Sequence, residues 1–248
     1  MRIIPLMEGA FTIDQSKKFI PFNLASDNLQ QRPAGSLLVE IQPFVVITDE
    51  DILLLDTGLG FRTPDQTLQI HKNLINAGIN PMDITKVLMS HLHKDHAGGI
   101  AGQDPVSGEY SLSFPGATHY VQRKELDYAL EKGFPSYIPE ELSPLRQTDK
   151  VVLLDDTQGT IGSSIRYEVT GGHTPFHQVF WIKEGEQSIF FGGDDAPQLG
   201  QMKNRFIAKY DYDGKKCMEL RKKWWAEAAE EHWTLLFYHD IKYPFIAL

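Results

Sequence analysis

Six consecutive positions, His91-Leu92-His93-Lys94-Asp95-His96, hold three imidazoles and a carboxylate. All four groups offer lone pairs near neutral pH, so a positive centre belongs among them. Histidine together with carboxylate suits borderline divalent ions such as zinc, manganese, iron or cobalt. The string follows the apolar run Lys86-Val87-Leu88-Met89 and runs into Ala97-Gly98-Gly99. That run reads as a short buried strand, and ligand sites in α/β proteins gather at the carboxyl ends of such strands. Alternation puts His91 and His93 on one side of an extended turn. Asp95 and His96 are adjacent, point differently, and are free to serve a second ion. A lone His-x-His pair is commonplace on surfaces; the full string behind a strand makes the reading specific.

The pattern recurs three times. Ile165-Arg166-Tyr167-Glu168-Val169 leads into Thr170-Gly171-Gly172-His173-Thr174-Pro175-Phe176-His177. Ser188-Ile189-Phe190-Phe191 leads into Gly192-Gly193-Asp194-Asp195, and Thr234-Leu235-Leu236-Phe237-Tyr238 into His239-Asp240. The candidate ligands His91, His93, Asp95, His96, His173, Asp194 and His239 exceed what one tetrahedral ion takes. They suit two ions about 3.5–4 Å apart. His91, His93 and His173 would hold the first, Asp95, His96 and His239 the second, and Asp194 would bridge. Asp56, at the end of Ile52-Leu53-Leu54-Leu55 and before Thr57-Gly58, is placed to orient a ligand histidine. His71, inside a helix, and His119, inside a strand, read as packing residues.

The elements that must position these residues alternate in type. Strands are expected at 37–47, 52–56, 118–121, 151–154, 165–169, 179–182, 188–191 and 234–238, with a short one within 1–13. A helix is expected from Thr63-Pro64-Asp65-Gln66, where Thr63 caps and Gln66 bonds back. Its apolar face is Leu68, Leu74 and Ile75, and Gly78 stops it. Further helices are expected at 124–132 and 215–232, the latter with Cys217, Leu220, Trp224 and Ala228 on one face. Residues 102–118 form a loop or hairpin. The proline-rich stretch 133–148 reads as a long loop able to overhang the site. The polar stretch 23–36 is a loop suited to a functional role or to a homodimer contact. Strand–helix units repeating around a shared ligand set imply α/β layering with the site at a sheet edge.

Composition narrows the classes. The chain has 248 residues, 42% hydrophobic and 11% aromatic, enough for one large domain spanning 1–248 or for two small ones. Its net charge of -9, with 33 acidic against 24 basic residues, disfavours nucleic acid as a partner. The one cysteine, Cys217, excludes an internal disulfide framework and suits a reducing compartment. No signal-peptide pattern opens the chain, and no stretch approaches the roughly 20 apolar residues of a membrane helix. The expectation is a soluble, cytoplasmic protein acting on a small molecule.

H-x-H-x-D-H, the later G-G-H-T-P, the F-G-G-D and the terminal H-D together resemble the metallo-β-lactamase superfamily over residues 37–240. Leu53-Leu54-Leu55-Asp56-Thr57-Gly58 is similar to its first motif. The resemblance implies a four-layer αβ/βα sandwich, two mixed sheets flanked by helices, and metal-dependent hydrolysis. The complete ligand set with His239-Asp240 is similar to the branch of N-acyl homoserine lactonases and organophosphate hydrolases. Asp194 stands in the family's G-D position, with Asp195 directly after it. Many lactonases carry a tyrosine just beyond; here Ala196, Pro197 and Gln198 follow, leaving Tyr210, Tyr212 and Tyr238 as substitutes. His177 matches a family histidine that is usually structural.

The expected chemistry is that of two divalent ions, foremost zinc, activating a bridging hydroxide against the carbonyl of a lactone or other ester. Asp95 is the catalytic candidate, taking the nucleophile's proton and passing it to the leaving group. Alternatives with the same ligands are glyoxalase II-like thioester hydrolysis, phosphotriester hydrolysis, and a metal-binding module without turnover. A nuclease conflicts with the acidic charge, and a flavin-coupled redox enzyme needs more chain.

Overall fold

The computed structural model describes all 248 residues. Strand Ile52–Leu55 shows why the fold is layered. Leu53 and Leu55 point to one face and Leu54 to the other, and all three are fully buried. A strand apolar on both faces needs cover on both sides. It lies in a six-stranded sheet with the order Arg2–Pro5, Phe44–Ile47, Ile52–Leu55, Lys86–Leu88, Thr118–Gln122, Val151–Leu154. The last four run parallel, and the first two are antiparallel to their neighbours. Helices Gln69–Asn76 and Arg123–Lys132 cover its outer face, setting Ile70, Leu74, Leu126 and Ala129 against Val45, Leu54, Val87 and Val121.

A second six-stranded sheet runs Gln158–Ile161, Ile165–Val169, Gln178–Glu184, Gln187–Phe191, Trp233–Leu236, Phe245–Ala247. Its inner face brings Tyr167, Phe180, Ile182, Ile189, Phe191 and Leu236 against Val46, Leu53, Leu55 and Leu88 of the first sheet. On its outer face Val179, Trp181, Phe190 and Leu235 meet Trp224 and Ala228 of helix Gly214–Glu231. The order of layers is therefore helix, sheet, sheet, helix, as the motifs implied. A third, three-stranded sheet, Phe19–Pro21, Gly9–Ile13, Leu37–Ile41, lies beside the end where the metal-type motifs emerge.

Local reading failed in several places. The helix expected from Thr63 begins only at Gln69. The Thr63 hydroxyl turns to Asp65 and to the Thr67 carbonyl, and Gln66 sits at φ +68°, a conformation no helix accommodates. The later start rotates the buried face to Ile70 and Leu74, leaving Ile75 54% exposed. The strand expected over 37–47 breaks at Gln42-Pro43 into two strands belonging to different sheets. Proline cannot donate to a ladder, and the Gln42 side chain instead donates to the Phe237 carbonyl at 2.5 Å. Residues 133–148 are not a plain loop: they form helix Pro139–Leu142 and a helical turn Ser143–Arg146, with Leu142 and Leu145 buried.

Glycines let the motif loop close on the first sheet. A side chain at Gly99 would meet the Thr57 carbonyl at 2.1 Å, and one at Gly98 the Leu59 carbonyl at 2.4 Å. The turn after Ile52–Leu55, against which those glycines close, is held by Glu8, whose Oε2 accepts the Leu59 N–H at 2.8 Å. Its Oε1 is enclosed without a partner. Burial, with Glu40 adding to it against the Leu59 hydrogen bond, pushes the Glu8 carboxyl from 4.5 up to about 7. A raised carboxyl pKa means the folded state binds the extra proton between those values, so stability falls as pH rises from 4.5 to about 7. Glu8→Gln is expected to match the wild type at pH 5 and exceed it by about 1–3 kcal/mol at pH 8. Urea melts of both proteins at the two pH values measure this.

Candidate metal centre

Four strand ends converge where the two sheets open. Lys86–Leu88 delivers residues 91–96, the last of them through the short helix Lys94–Ala97. Ile165–Val169 delivers His173, Gln187–Phe191 delivers Asp194, and Trp233–Leu236 delivers His239. All seven candidate ligands come together. His93 Nδ1 lies 3.0 Å from His91 Nε2 and 3.1 Å from His173 Nε2. His239 Nε2 lies 3.4 Å from His96 Nε2 and 3.5 Å from Asp95 Oδ2. Between these clusters stands Asp194. Its Oδ2 is 3.2 Å from His173 Nε2, and its Oδ1 is 3.1 Å from His96 Nε2 and 3.0 Å from His239 Nε2.

The outer nitrogens fix which lone pairs face inward. His96 Nδ1 donates to Asp56 Oδ2 at 2.7 Å and His173 Nδ1 to Asp211 Oδ1 at 2.8 Å. His239 Nδ1 donates to the Glu40 carbonyl at 2.7 Å. Ser90 Oγ gives its proton to Asp56 Oδ2 at 2.6 Å, and so accepts from His91 Nδ1 at 3.1 Å. Each of these four rings, when neutral, therefore carries its hydrogen outside and a bare Nε2 inside. Inner nitrogens then face one another and Asp194 at hydrogen-bond distance with no hydrogen between them. Asp194 Oδ1 is enclosed and has no hydrogen-bond partner. Lone pair against lone pair in a buried site is costly unless a cation intervenes. The donor set, imidazole and carboxylate without thiolate, and its two-lobed layout fit two divalent ions.

The electrostatics agree. Burial and the neighbouring imidazoles hold His91 and His93 well below the usual imidazole range, so both are neutral. Burial opposes charge on His96, His173 and His239 more than any one neighbour favours it, yet Asp194 together with Asp95 and Asp56, Asp211 and Asp195, and Asp95 respectively raises all three. Asp194 itself, despite burial, is held well below the ordinary carboxylate range by His239, His96 and His173. This carboxylate demands positive charge on both sides, from protons or from metal ions.

Asp56, expected to orient a histidine, does so for His96 directly and for His91 through Ser90. It adopts φ +56° to do it, a strained conformation for a residue other than glycine. Its own closeness to His91 and His96 is hydrogen bonding, since both its oxygens are already used by Ser90 and His96. Asp195 does not compete for the bridge: Oδ1 accepts the His173 N–H at 2.7 Å, and Oδ2 lies 3.1 Å from His177 Nδ1. His177 Nε2 in turn accepts the Asp194 N–H at 3.1 Å, which fixes the turn carrying Asp194. His71 and His119 lie outside the cluster, His71 against Phe114 and His119 at the Lys150 carbonyl.

Sequence reasoning missed three supports. Asp211 orients His173. Glu125 accepts the Leu92 N–H at 3.2 Å and the Thr174 hydroxyl at 2.8 Å, tying the two histidine loops together. Tyr238 stacks under His96 with ring centroids 4.0 Å apart and donates to the Asp95 carbonyl at 2.7 Å. None has a local signal, because each partner lies far away in the chain. Asp211→Asn is expected to weaken metal affinity roughly 10- to 100-fold while leaving the fold intact, as losses of such orienting groups do; competition with a chromophoric chelator measures it.

The motif order, the four layers and the paired clusters leave one family pattern, and that pattern matches residues 39–239. The chain belongs to the metallo-beta-lactamase superfamily. Among relatives of this superfamily, an N-acyl homoserine lactonase, AttM of Azorhizobium caulinodans, is 34% identical over 112 residues. That match spans 43% of this chain and only 38% of the relative's own length. A probable metal-dependent hydrolase from Staphylococcus aureus shares the fold at TM-score 0.79 and 22% identity, covering 99% of this chain and 91% of that one. The dizinc quorum-quenching lactonase AidC, in complex with a product, follows at TM-score 0.71 and 23% identity, covering 98% and 88%.

The metallo-beta-lactamase centre opens into a cavity of about 930 Å³. Ile13, Phe19, Leu37, Leu38 and Val39 from the three-stranded sheet form an apolar wall, and His93, Asp95, His173, Asp194 and His239 form the floor. Of the candidate tyrosines, Tyr238 is buried beneath the site, and Tyr212 is 67% exposed at a smaller neighbouring cavity. Tyr210 lines the main cavity, its ring 6.0 Å from that of His173. No helix is long and apolar enough to cross a membrane.

Proposed function

We propose that the chain is a dinuclear metal-dependent hydrolase that opens a lactone or related ester of a small molecule. The observation that carries this reading is Asp194 standing between two sets of inward lone pairs at the floor of a half-apolar cavity. In the proposal His91, His93 and His173 hold one ion, Asp95, His96 and His239 the other, and Asp194 both. Zinc is the proposed metal, supported by the donor set and by the dizinc lactonase AidC. The lactonase names among the relatives support the substrate class. One domain over 1–248 is supported by the core shared between the two sheets. A cytoplasmic setting is supported by the single cysteine, Cys217, which is free and buried.

The bound ions would supply a water acidified toward neutrality and an electrophilic pull on the scissile carbonyl. The chain's own groups do the rest. The apolar wall of Ile13, Phe19, Leu37, Leu38 and Val39 takes the substrate's hydrocarbon part and excludes water. Asp95, beside His239 at the floor, accepts the proton released on attack and returns it to the leaving alkoxide. Tyr210 is kept protonated by burial and by the charge of Asp194. In the proposal its hydroxyl would donate to the substrate's carbonyl from the cavity wall. Tyr210→Phe is expected to lower kcat about 100- to 1,000-fold with a smaller change in KM, the range for one lost donor to a developing oxyanion.

A substrate panel tests the function. Metal-analysed protein is offered N-acyl homoserine lactones, a glutathione thioester, a simple ester and a phosphotriester. Preferential opening of lactones is expected. Preference for the thioester, or no turnover by fully loaded protein, would refute the reading.

A further inference from the structure

The cavity above the metal-type clusters has a charge that the chain as a whole does not. The protein carries a net charge of -9, yet the cavity gathers Lys17, Lys94, Arg205 and Lys209 from three separate segments. The carboxylates lining it are Asp14, Asp95 and Asp194. Asp95 and Asp194 turn to the imidazoles. Asp14 stays ionised but points into its own turn, accepting the Ser16 N–H at 2.8 Å and the Ser16 hydroxyl at 2.6 Å.

None of the four cations forms an ion pair with a carboxylate, although the charge of Asp95 acts on Lys94. The protein's ion pairs among lysines and arginines engage Lys86, Arg123, Arg146, Arg166, Lys215 and Lys223 instead. Lys94 Nζ lies over the ring of Phe19, 5.8 Å from its centroid, on the cavity wall. Lys17 is held at the rim by a backbone at φ +59°, a conformation that residues with a side chain rarely adopt. Glu141, the acidic residue outside the clusters that acts on Lys94, has its carboxyl pushed up to about 7 by its own burial, so it neutralises only part of that charge. Four like charges around one cavity repel one another, and an anion among them relieves that repulsion and is drawn in from solution.

Resting on the hydrolase reading above, we infer that the substrate's acyl arm ends in an oxyanion, a carboxylate or a phosphate, that sits among Lys17, Lys94, Arg205 and Lys209. The apolar wall takes the methylenes, the floor takes the lactone or ester carbonyl, and the cationic rim takes the far end. A neutral arm of the same length leaves the rim unsatisfied.

Three lactones with the same ring and arm length test this, their arms ending in methyl, carboxylate or phosphate. The two anionic arms are expected to show at least 10-fold higher kcat/KM than the methyl arm, with the advantage shrinking as salt is raised. The better of the two identifies the terminal group. In the double variant Lys17→Ala, Arg205→Ala the ratio of anionic to neutral turnover is expected to fall toward one. A readout independent of turnover is calorimetric binding of hexanedioate against hexanoate, expected to be at least 10-fold tighter for the diacid. Equal or better turnover of the methyl arm with equal binding of the two acids would overturn the charge inference and leave the hydrolase standing. No turnover of any of the three would overturn the hydrolase reading itself.

Discussion

Asp194→Ala is expected to cost metal at both clusters together and to lower turnover on the order of 10³-fold, equivalent to about 4 kcal/mol of transition-state stabilisation. The reason lies in its two oxygens: Oδ2 faces His173 of one cluster, and Oδ1 faces His96 and His239 of the other. It faces both clusters with a carboxylate oxygen each, so losing it opens the two together. Asp195→Asn is the control. Its carboxylate holds the His173 N–H and faces His177. That variant is expected to lose stability while retaining two ions per chain. Metal content by mass spectrometry alongside initial rates separates the two aspartates; a normal metal count in Asp194→Ala would refute the bridging role.

Removing metal with a chelator is expected to lower Tm by roughly 10 °C. Free metal about 1,000-fold above Kd stabilises the folded state by about 4 kcal/mol, and a chain of this size loses roughly 2–4 °C per kcal/mol. The structural cause is four buried imidazoles, with the partly exposed His93 beside them, pointing at one another and at Asp194, which only protons or cations reconcile. Protons are the competitor. Without metal, His96, His173 and His239 hold protons above the usual 6.5 because Asp194 and the neighbouring carboxylates together outweigh burial. Ligation needs them deprotonated, so metal affinity falls as pH drops, beginning above 6.5. Calorimetric melts with and without chelator at pH 8 and pH 6 are expected to show the metal-dependent gap narrowing at the lower value.

The convergence of the seven candidate ligands was legible because residues suited to metal chemistry leave a local imprint. Strands that end in glycine and histidine or aspartate are short and contiguous, and each strand tip needs only its own few residues to be recognised. Asp56 was legible for the same reason, at the end of Ile52-Leu53-Leu54-Leu55. The supports were not legible. Asp211 acts on His173 from 38 residues away, and the Glu40 carbonyl on His239 from 199 away. Only the finished fold brings them together: Glu40 reaches His239 from the three-stranded sheet, and Asp211 reaches His173 from the segment before helix Gly214–Glu231. The helix expected at Thr63 failed because a capping pattern competes with turn chemistry, and here the Thr63 hydroxyl found Asp65 and the Thr67 carbonyl first. The cationic rim escaped notice because Lys17, Lys94, Arg205 and Lys209 lie in segments with no common motif, within a chain whose net charge is negative.

The most direct test titrates zinc into metal-stripped protein while following the opening of an N-acyl homoserine lactone and the occupancy of the protein in parallel. The account predicts no turnover without metal and a rise that levels off at two zinc ions per chain. Full turnover by the stripped protein would contradict it.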